Sequence, residues 1–547
     1  MKLSWSISLL IGVLVESSSF AATQSQATTY WIAATGGTTT GSCAAASGTS
    51  DPGVYYRTFA AIVAAGCIHG GDTVKIKDGT YNEGIYSING NKIPSGTPGA
   101  STIIQSATPS VAGAASSVFL APPGGVVGEQ QGIYLSGSHS YITIDGIGMS
   151  GQNHSSLDWP GCCGLQLDGT NGNIHHITYK NSEFKNNKCG SWGAQGADDI
   201  TVQGNWFYGD TCNSFSHGIY ANQPSNGWLI EGNIIDGFVD YGIQIYTCCS
   251  TNYIIRYNIF RNNGFGLGGT ASGSGMVVYG NNHQIYGNIF HENFASGLLI
   301  EGGSGVKVYN NTVYRNNTLG KGFGGIVWGN GSGTIIKNNI VYDNGGADLA
   351  DINGTQTPTF GNNHCTNAGP GCAQFGDPLF ADPGNRDFVP LNGSPVIGAG
   401  TPYIDADISL PFVPDIGAML DLISSSLSPK PAIRPERLAQ ARPAKRQKAA
   451  PVGIEERRKR PELASLEKTE KHWTVQVLAT PDRDIATECM EKLKAKGYDA
   501  FLVEAEIDDT IWHRVRLGNF ETRRDANILG ALMRQKEGFR DAFVVDG

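Results

Sequence analysis

Ser182-Glu-Phe184, Asn205-Trp-Phe207, Asn233-Ile-Ile235, Asn258-Ile-Phe260, Asn288-Ile-Phe290, Asn311-Thr-Val313 and Asn339-Ile-Val341 form a ladder in the middle of the chain. A polar residue is followed two positions on by a large apolar one, at intervals of 23 to 30 residues. Ahead of most rungs lies a second repeat, a glycine and a short apolar strand: Gly164-Leu-Gln-Leu, Gly218-Ile-Tyr-Ala, Gly242-Ile-Gln-Ile, Gly275-Met-Val-Val, Gly297-Leu-Leu-Ile and Gly325-Ile-Val-Trp. A fixed period in this range marks stacked repeats, none of which buries its apolar face alone. Each repeat holds short strands and no apolar period of helix length. The pattern reads as a parallel β-helix; the rival, a β-sandwich, needs every rung in register by coincidence.

Alternation along each strand points one residue inward and the next outward. Ile219, Ile243, Met276, Leu298 and Ile326 are therefore expected to stack as one interior column. Phe184, Phe207, Ile235, Phe260, Phe290, Val313 and Val341 should form another. The asparagine column, with Ser182 in its first rung, is expected at a bend, where stacked amides bond to one another and asparagine tolerates left-handed backbone. Gly204, Gly232 and Gly287 suit positions that need a positive φ.

A chain of 547 residues exceeds one ordinary domain unless it grows by repetition, and 74 glycines with only 16% charged residues suit a turn-rich β body. The net charge of −9 is unevenly spread: −13 up to residue 427, +8 over 428–460 and −4 from 461 onward. An acidic body, a basic tether and a near-neutral tail are thus distinct parts. The tether, 421–470, holds Pro429, Pro431, Pro435, Pro443, Pro451 and Pro461, which prevent a long helix, and reads as an extended disordered linker. Its charge either draws it to an anionic surface or merely solvates a spacer.

The first 21 residues read as a secretory signal: Lys2, a short apolar core from Ile7 to Val15, and Ser19-Phe-Ala21 before the cut. The apolar run is too short to span a membrane, so no stable span is expected after cleavage; an uncleaved anchor is the rival. Ten of the eleven cysteines lie in the β-helical part, which suits disulfides in an exported domain. Cys43 with Cys67 and Cys365 with Cys372 are the expected pairs. The six between them allow fifteen connectivities, and Cys489 is left over, expected buried and reduced.

Residues 28–130 read as first coils and a cap: a strand at Tyr30-Trp-Ile-Ala33, an amphipathic helix over 56–65, then strand and turn from Gly71. The helix would cover the open solenoid end. The run GDTVKIKDGTYNEGI at 71–85, the coils with GNIIDG and GNIFHEN, and the closing DPLFADPGNRDFVPLNGSPVIGAG at 377–400 resemble the bacterial right-handed parallel β-helix proteins of the pectate-lyase-like superfamily. The resemblance covers about residues 28–420. It implies the fold, and it leaves activity open, because that superfamily includes lyases, hydrolases, epimerases and inert spikes.

In the tail, 471–547, strands are expected over 473–479, 500–505, 511–517 and 542–545, and helices over 482–496 and 522–535. This βαββαβ order implies a small α+β domain of ferredoxin-like build, with two helices on one face of a four-stranded antiparallel sheet. WTVQVLAT at 473–480, KLKAKGYDAFLV at 492–503 and WHRVRLGNFETRRDA at 512–526 make the tail similar to a SPOR domain. Trp512-His513-Arg514-Val515 fits that family's aromatic-aromatic-Arg-Val pattern, with His513 in the second aromatic place. The resemblance implies binding to peptidoglycan, notably glycan strands stripped of stem peptides, at the division site. Gln476, Trp512, Arg514 and Arg516 are the candidate glycan-binding residues, the last three on one strand face and His513, Val515 and Leu517 on the other. An RNA-binding fold-mate is the rival, but its Gly-rich aromatic signature is missing and a signal peptide argues against nucleic acid.

In the coils, the outward residues of the Gly-led strands are the place for chemistry: Gln166, Asp168, Tyr220, Gln244, Tyr246, Val277, Tyr279, Leu299 and Glu301, with His217 beside them. Tyr220, Tyr246 and Tyr279 can stack on sugar rings. Asp168 and Glu301 lie several coils apart, at roughly 4.8 Å per coil, too far to act as a carboxylate pair. Asp198-Asp199 with Ser216-His217-Gly218 mimics a polygalacturonase set, but the aspartates align with the turn before the next strand. A lyase needs a base and a neutraliser of the uronate carboxylate, often calcium. Arg256, Arg261, Lys307 and Arg315 do not lie outward on the Gly-led strands, and His217, His283 and His291 read as turn residues bonded to backbone. The expectation is therefore a periplasmic, cell-wall-associated protein enriched at the septum, binding peptidoglycan through its tail and another polysaccharide through its coils, with no cofactor unless a lyase takes calcium. The alternative is a lyase or glycoside hydrolase that the tail localises.

Overall fold

The computed structural model describes residues 27–87, 90–122, 131–150, 164–185, 187, 192–208, 216–246, 249–266, 273–320, 322–354, 356–401, 403–405, 408–410, 417–418, 472–480, 482–496, 498–507, 510–520, 526, 529, 533, 539 and 543–546. The signal stretch, the basic tether and Cys162, Cys163, Cys189, Cys212 and Cys248 lie outside them.

Three long parallel sheets of thirteen, twelve and ten strands run along the body. A complete coil contributes a strand to each sheet; Ile254–Arg256, Ile259–Arg261 and Met276–Val278 make one such coil. The expected columns form. Phe184, Phe207, Ile235, Phe260, Phe290, Val313 and Val341 pair in unbroken register along the second sheet. Ile219, Ile243, Met276, Leu298 and Ile326 do so along the third. All are fully buried in one continuous core. Phe260 and Phe290 stack with ring centroids 4.5 Å apart, and each such ring contributes about 1.5–3 kcal/mol by leaving water.

The asparagine ladder stands at the corner between the first and second sheets. The backbone N–H and the side-chain Nδ2 of Asn258 both donate to Asn288 Oδ1, each at 3.0 Å, and Nδ2 also donates to Ile230 O at 2.9 Å. The same set recurs at Asn205, Asn233, Asn288, Asn311 and Asn339. These amides are fully buried and satisfied, as buried polar groups must be. The glycines expected at positive φ, Gly204, Gly232 and Gly287, have it, whereas the rung asparagines do not. The left-handed backbone belongs to the position before each rung, Gly204, Gly232, Tyr257, Gly287, Asn310 and Asn338, with φ of 50° to 65°. A Cβ on Gly204 would lie 2.8 Å from Asn181 Oδ1, so glycine is required there by space as well as by φ.

A second ladder, not anticipated, occupies the next corner. Asn263, Asn293, Asn316 and Asn344 repeat the pattern, with Asn293 Nδ2 donating to Asn316 Oδ1 at 2.7 Å. Left-handed Asn262, Glu292, Arg315 and Asp343 precede them.

At the first coil the helix is shorter than expected, Phe59–Ala64, capped by the Thr58 hydroxyl and by Glu83, whose carboxylate accepts from Phe59 N and Ala60 N. Phe59 and Ile62 close that end of the core. Cys43 pairs with Cys67 and Cys365 with Cys372. Phe380, Phe388 and Val396 pack on Ile289, Tyr314 and Ile340, so the segment after the coils covers part of the second sheet's outer face. Left-handed Asn338 and Asn362 hold it by bonds to Thr401 and Ala399.

The tail is a four-stranded antiparallel sheet in the order Ala500–Ile507, Thr510–Phe520, Trp473–Thr480, Phe543–Asp546. The helix Arg483–Ala495 is capped by Asp482, whose carboxylate accepts from Asp484 N and Ile485 N. Ala486, Leu493, Ala526 and Met533 join Val475, Val477, Val515 and Leu517 in its core. Ile485, expected among the helix's apolar positions, is 52% exposed. Cys489 is only partly buried, packs against this core, and makes no disulfide among the described residues.

Asn288→Ala should strand the buried Asn258 N–H and cost about 2 kcal/mol, whereas Asn330→Ala on the exposed surface should cost under ~0.5 kcal/mol. Urea denaturation compares them; equal midpoints would remove the ladder from the account of stability.

Candidate functional site

On the third sheet the outward positions fall into two columns. Tyr134, Gln166, Gly193, Tyr220, Gln244, Val277 and Leu299 are in register in one. Ser136, Asp168, Gln195, Asn222 and Tyr246 are in register in the other, which Tyr279 and Glu301 extend by alternation. Not all of them face solvent. Gln166 is buried and accepts from Gln131, and Val277 is fully buried, so both leave the expected set. Asp168 accepts from Tyr134 and Thr170 around its own turn, three coils from Tyr246, and stands apart from the other candidates.

Those other candidates converge. Tyr241, His217, Tyr220, Tyr246 and Tyr279 form a continuous run of rings, with neighbouring centroids 5.9, 5.2, 6.4 and 5.7 Å apart. Tyr246 is 46% exposed, which suits a stacking surface. Tyr279 is hydrogen-bonded to Glu301, and burial with that carboxylate raises its pKa.

His217 departs from the expected backbone-bonded turn residue. Its Nδ1 makes no hydrogen bond among the described residues and lies 3.8 Å from Asp240 Oδ2. Both side chains are buried, and burial pushes the imidazole down to about 3, so it is neutral. Asp240 and Tyr241 were not anticipated. Aligning the Gly-led strands on Gly218, Gly242 and Gly275 places Tyr241 on His217 and Asp240 one residue before, so the signal was present. A Cβ on Gly273 would lie 2.5 Å from Asp240 Oδ1, so the absence of a side chain there makes room for the carboxylate.

His283 does fit the backbone-bonded reading: its Nδ1 accepts from Tyr253 N and its Nε2 bonds Tyr279 O. His291 does not; it sits within a strand of the second sheet, 3.4 Å from Glu292. Asp198 pairs in register with His175, and left-handed Asp199 follows it, so the aspartate pair lies in the turn into the first sheet, away from His217. Arg256 and Arg261 are spent on Glu231 and Asp236. Among the described residues no group of three or more His, Cys, Asp or Glu could hold a metal ion, and no helix is long and apolar enough to cross a membrane.

In the tail, Trp512, Arg514 and Arg516 lie on the sheet face away from the helix, and His513, Val515 and Leu517 are buried on the other. Phe501, Val503 and Ala505 stand directly opposite Arg516, Arg514 and Trp512 on the neighbouring strand. That strand is apolar at successive positions, so alternation alone did not single out Phe501 and Val503. Gln476 pairs with Arg516 but is only 6% exposed, and so flanks the face rather than presenting itself on it. Burial and the Arg514 guanidinium lower the pKa of Arg516. His513 Nδ1 lies 3.3 Å from Glu504.

A family model described as right handed beta helix region matches residues 127–313 and 269–377, and one described as SPOR domain matches 469–546. No curated protein matches the chain significantly. Among solved structures the chain is similar to pectate lyase Pel9A, at 16% identity and TM-score 0.45 over 72% of this chain and 96% of that one. It is also similar to the A-module of Azotobacter vinelandii mannuronan C-5 epimerase AlgE6, at 15% identity and TM-score 0.37 over 58% and 91%. A third is the alginate lyase from Paenibacillus sp. str. FPU-7, at 16% identity and TM-score 0.31 over 54% and 95%. Likeness at these scores carries no argument about activity.

The depressed pKa values of His217 and His283, about 3 and about 4, give a signed prediction. Both rings are neutral when folded and take up protons when unfolded, so their stabilisation is complete above about pH 6.5 and declines as pH falls toward the folded values. Thermal midpoints should therefore drop between pH 7 and pH 4. His217→Phe, which keeps the ring contacts with Tyr220 and Tyr241, should flatten that drop; parallel curves for variant and parent would contradict the assignment. With its coils and its tail both matched, the chain is a right-handed parallel β-helix protein that ends in a SPOR domain.

Proposed function

We propose that this protein is exported to the periplasm, docks on peptidoglycan through its SPOR domain and presents the third-sheet face of its β-helix to a polysaccharide. The observation that carries the first part is the SPOR match together with Trp512, Arg514 and Arg516 on the open face, flanked by Phe501 and Val503. Flat apolar surface beside fixed guanidinium donors suits a glycan strand, with the arginines on hydroxyls or lactyl carboxylates. Two disulfides support an oxidising compartment. In this reading residues 1–21 are the signal, 28–420 the β-helix, 421–470 the tether and 471–547 the docking domain, and the division septum, where denuded strands arise, is the place of action.

The ring run from Tyr241 to Tyr279 supports glycan binding by the coils. A second reading, a glycan-cleaving enzyme, rests on geometry alone: an imidazole, His217, paired with a carboxylate, Asp240, at the edge of that run. It predicts that His217→Asn abolishes release of new reducing ends from a bound glycan while leaving binding intact.

Trp512→Ala with Arg514→Ala in the fluorescently tagged full chain should abolish septal enrichment without changing the far-ultraviolet spectrum of the β-helix. If that variant still gathers at the septum, the tail is not the targeting unit.

A further inference from the structure

The third sheet has a charge pattern that bears on which polysaccharide it takes. Its ten strands contain no lysine or arginine. From Ile133 onward, the turns that follow them contain none either. On the other two sheets several cations are neutralised in place: Lys180 lies 3.2 Å from Asp145, Arg256 2.5 Å from Glu231, Arg261 2.7 Å from Asp236 and Lys185 3.3 Å from Glu183. The third-sheet face instead carries Glu301, hydrogen-bonded to Tyr279, and Asp240, beside a His217 that burial keeps neutral.

A polyuronate brings one carboxylate per sugar. Laid along Tyr220, Tyr246 and Tyr279, it would set those charges against Glu301, and at the His217 edge toward buried Asp240, with no cation on these strands or on the turns that follow them; of the cations in the connections before the strands, Lys188, Arg315 and Lys321, Arg315 is paired with Asp343 at 2.7 Å. At about 4 Å and an effective dielectric of 20, each like-charge contact costs on the order of 4 kcal/mol, more than a ring contact of roughly 0.5–1.5 kcal/mol returns. An uncharged sugar meets no such opposition. Its C–H faces stack on the tyrosines, and its hydroxyl and amide groups find half-buried Gln244, Asn222 and Gln195 in the same columns. We infer that the third-sheet face binds an uncharged glycan, of the N-acetylhexosamine or plain hexose kind, and rejects polyuronates. This rests on the reading that the face is a glycan site at all.

The test is calorimetric titration of the full mature chain, at low ionic strength, with three hexasaccharides: N-acetylglucosamine hexamer, cellohexaose and hexagalacturonate, the last with and without calcium. Only the binding that Tyr246→Ala removes is counted, which separates this face from the tail. The expected result is that at least one uncharged hexamer binds and weakens tenfold or more in Tyr246→Ala. Hexagalacturonate should bind at least tenfold more weakly in the parent chain and recover severalfold in Glu301→Gln. Hexagalacturonate binding as tightly as the uncharged hexamers, and sensitive to Tyr246→Ala, would overturn the charge inference and leave the glycan face standing. No Tyr246-sensitive binding of any hexamer would overturn both.

Discussion

A side-chain amide shut away from water must find a partner for its oxygen and for its nitrogen, and in this protein it finds them one coil away. That requirement fixes the stacking. Each ladder asparagine accepts from the backbone and the amide of the rung before and donates to the rung after, which holds only if successive coils stand one strand spacing apart and in register. A slip by one residue would strand a column of buried amides and turn the phenylalanine column outward. The two ladders therefore set the geometry in which the apolar columns interdigitate, and the left-handed residue before each rung turns the chain from one sheet to the next.

Once the coils are in register, the outer surface depends on which residues each strand leaves facing out. The first sheet carries charges paired within or between coils. The second is partly covered by the segment after the coils, packed on Ile289, Tyr314 and Ile340. The third is left with rings, amides and carboxylates. Because outward residues of neighbouring coils meet at strand spacing, three tyrosines on the adjacent coils of residues 219–222, 243–246 and 276–279 become one surface, although Tyr220 and Tyr279 lie 59 positions apart in the chain. The tail uses the same alternation on a small scale: one strand puts Val515 and Leu517 into a core and Trp512, Arg514 and Arg516 on an open face.

Much of this was legible from the ladder alone. The polar-then-apolar spacing identified the inward columns residue by residue, because a solenoid repeats one local environment and each coil confirms its neighbours. The second ladder is equally periodic in NIFRNN, NIFHEN, NTVYRNN and NIVYDN, three positions after each residue of the apolar column, but its asparagines lie amid other polar residues and no regular strand follows to mark them. Gln166 and Val277 were misplaced because alternation reports which way a side chain points and says nothing of what folds over it. Asp240 and Tyr241 were missed for a related reason. They lie in the connection before a strand, where period 2 does not apply, and only register against His217 brings them to the site.

In this account the protein is a rigid β-helical body that offers a glycan the face whose strands carry no cation, joined to a domain that holds it on the cell wall. The most direct test is a pull-down of the full mature chain with purified peptidoglycan sacculi, before and after amidase removes the stem peptides. Retention that rises on stripping is the predicted result, since the open face of the tail would then reach bare glycan. No retention on either preparation would contradict the cell-wall assignment and leave the β-helix without a location.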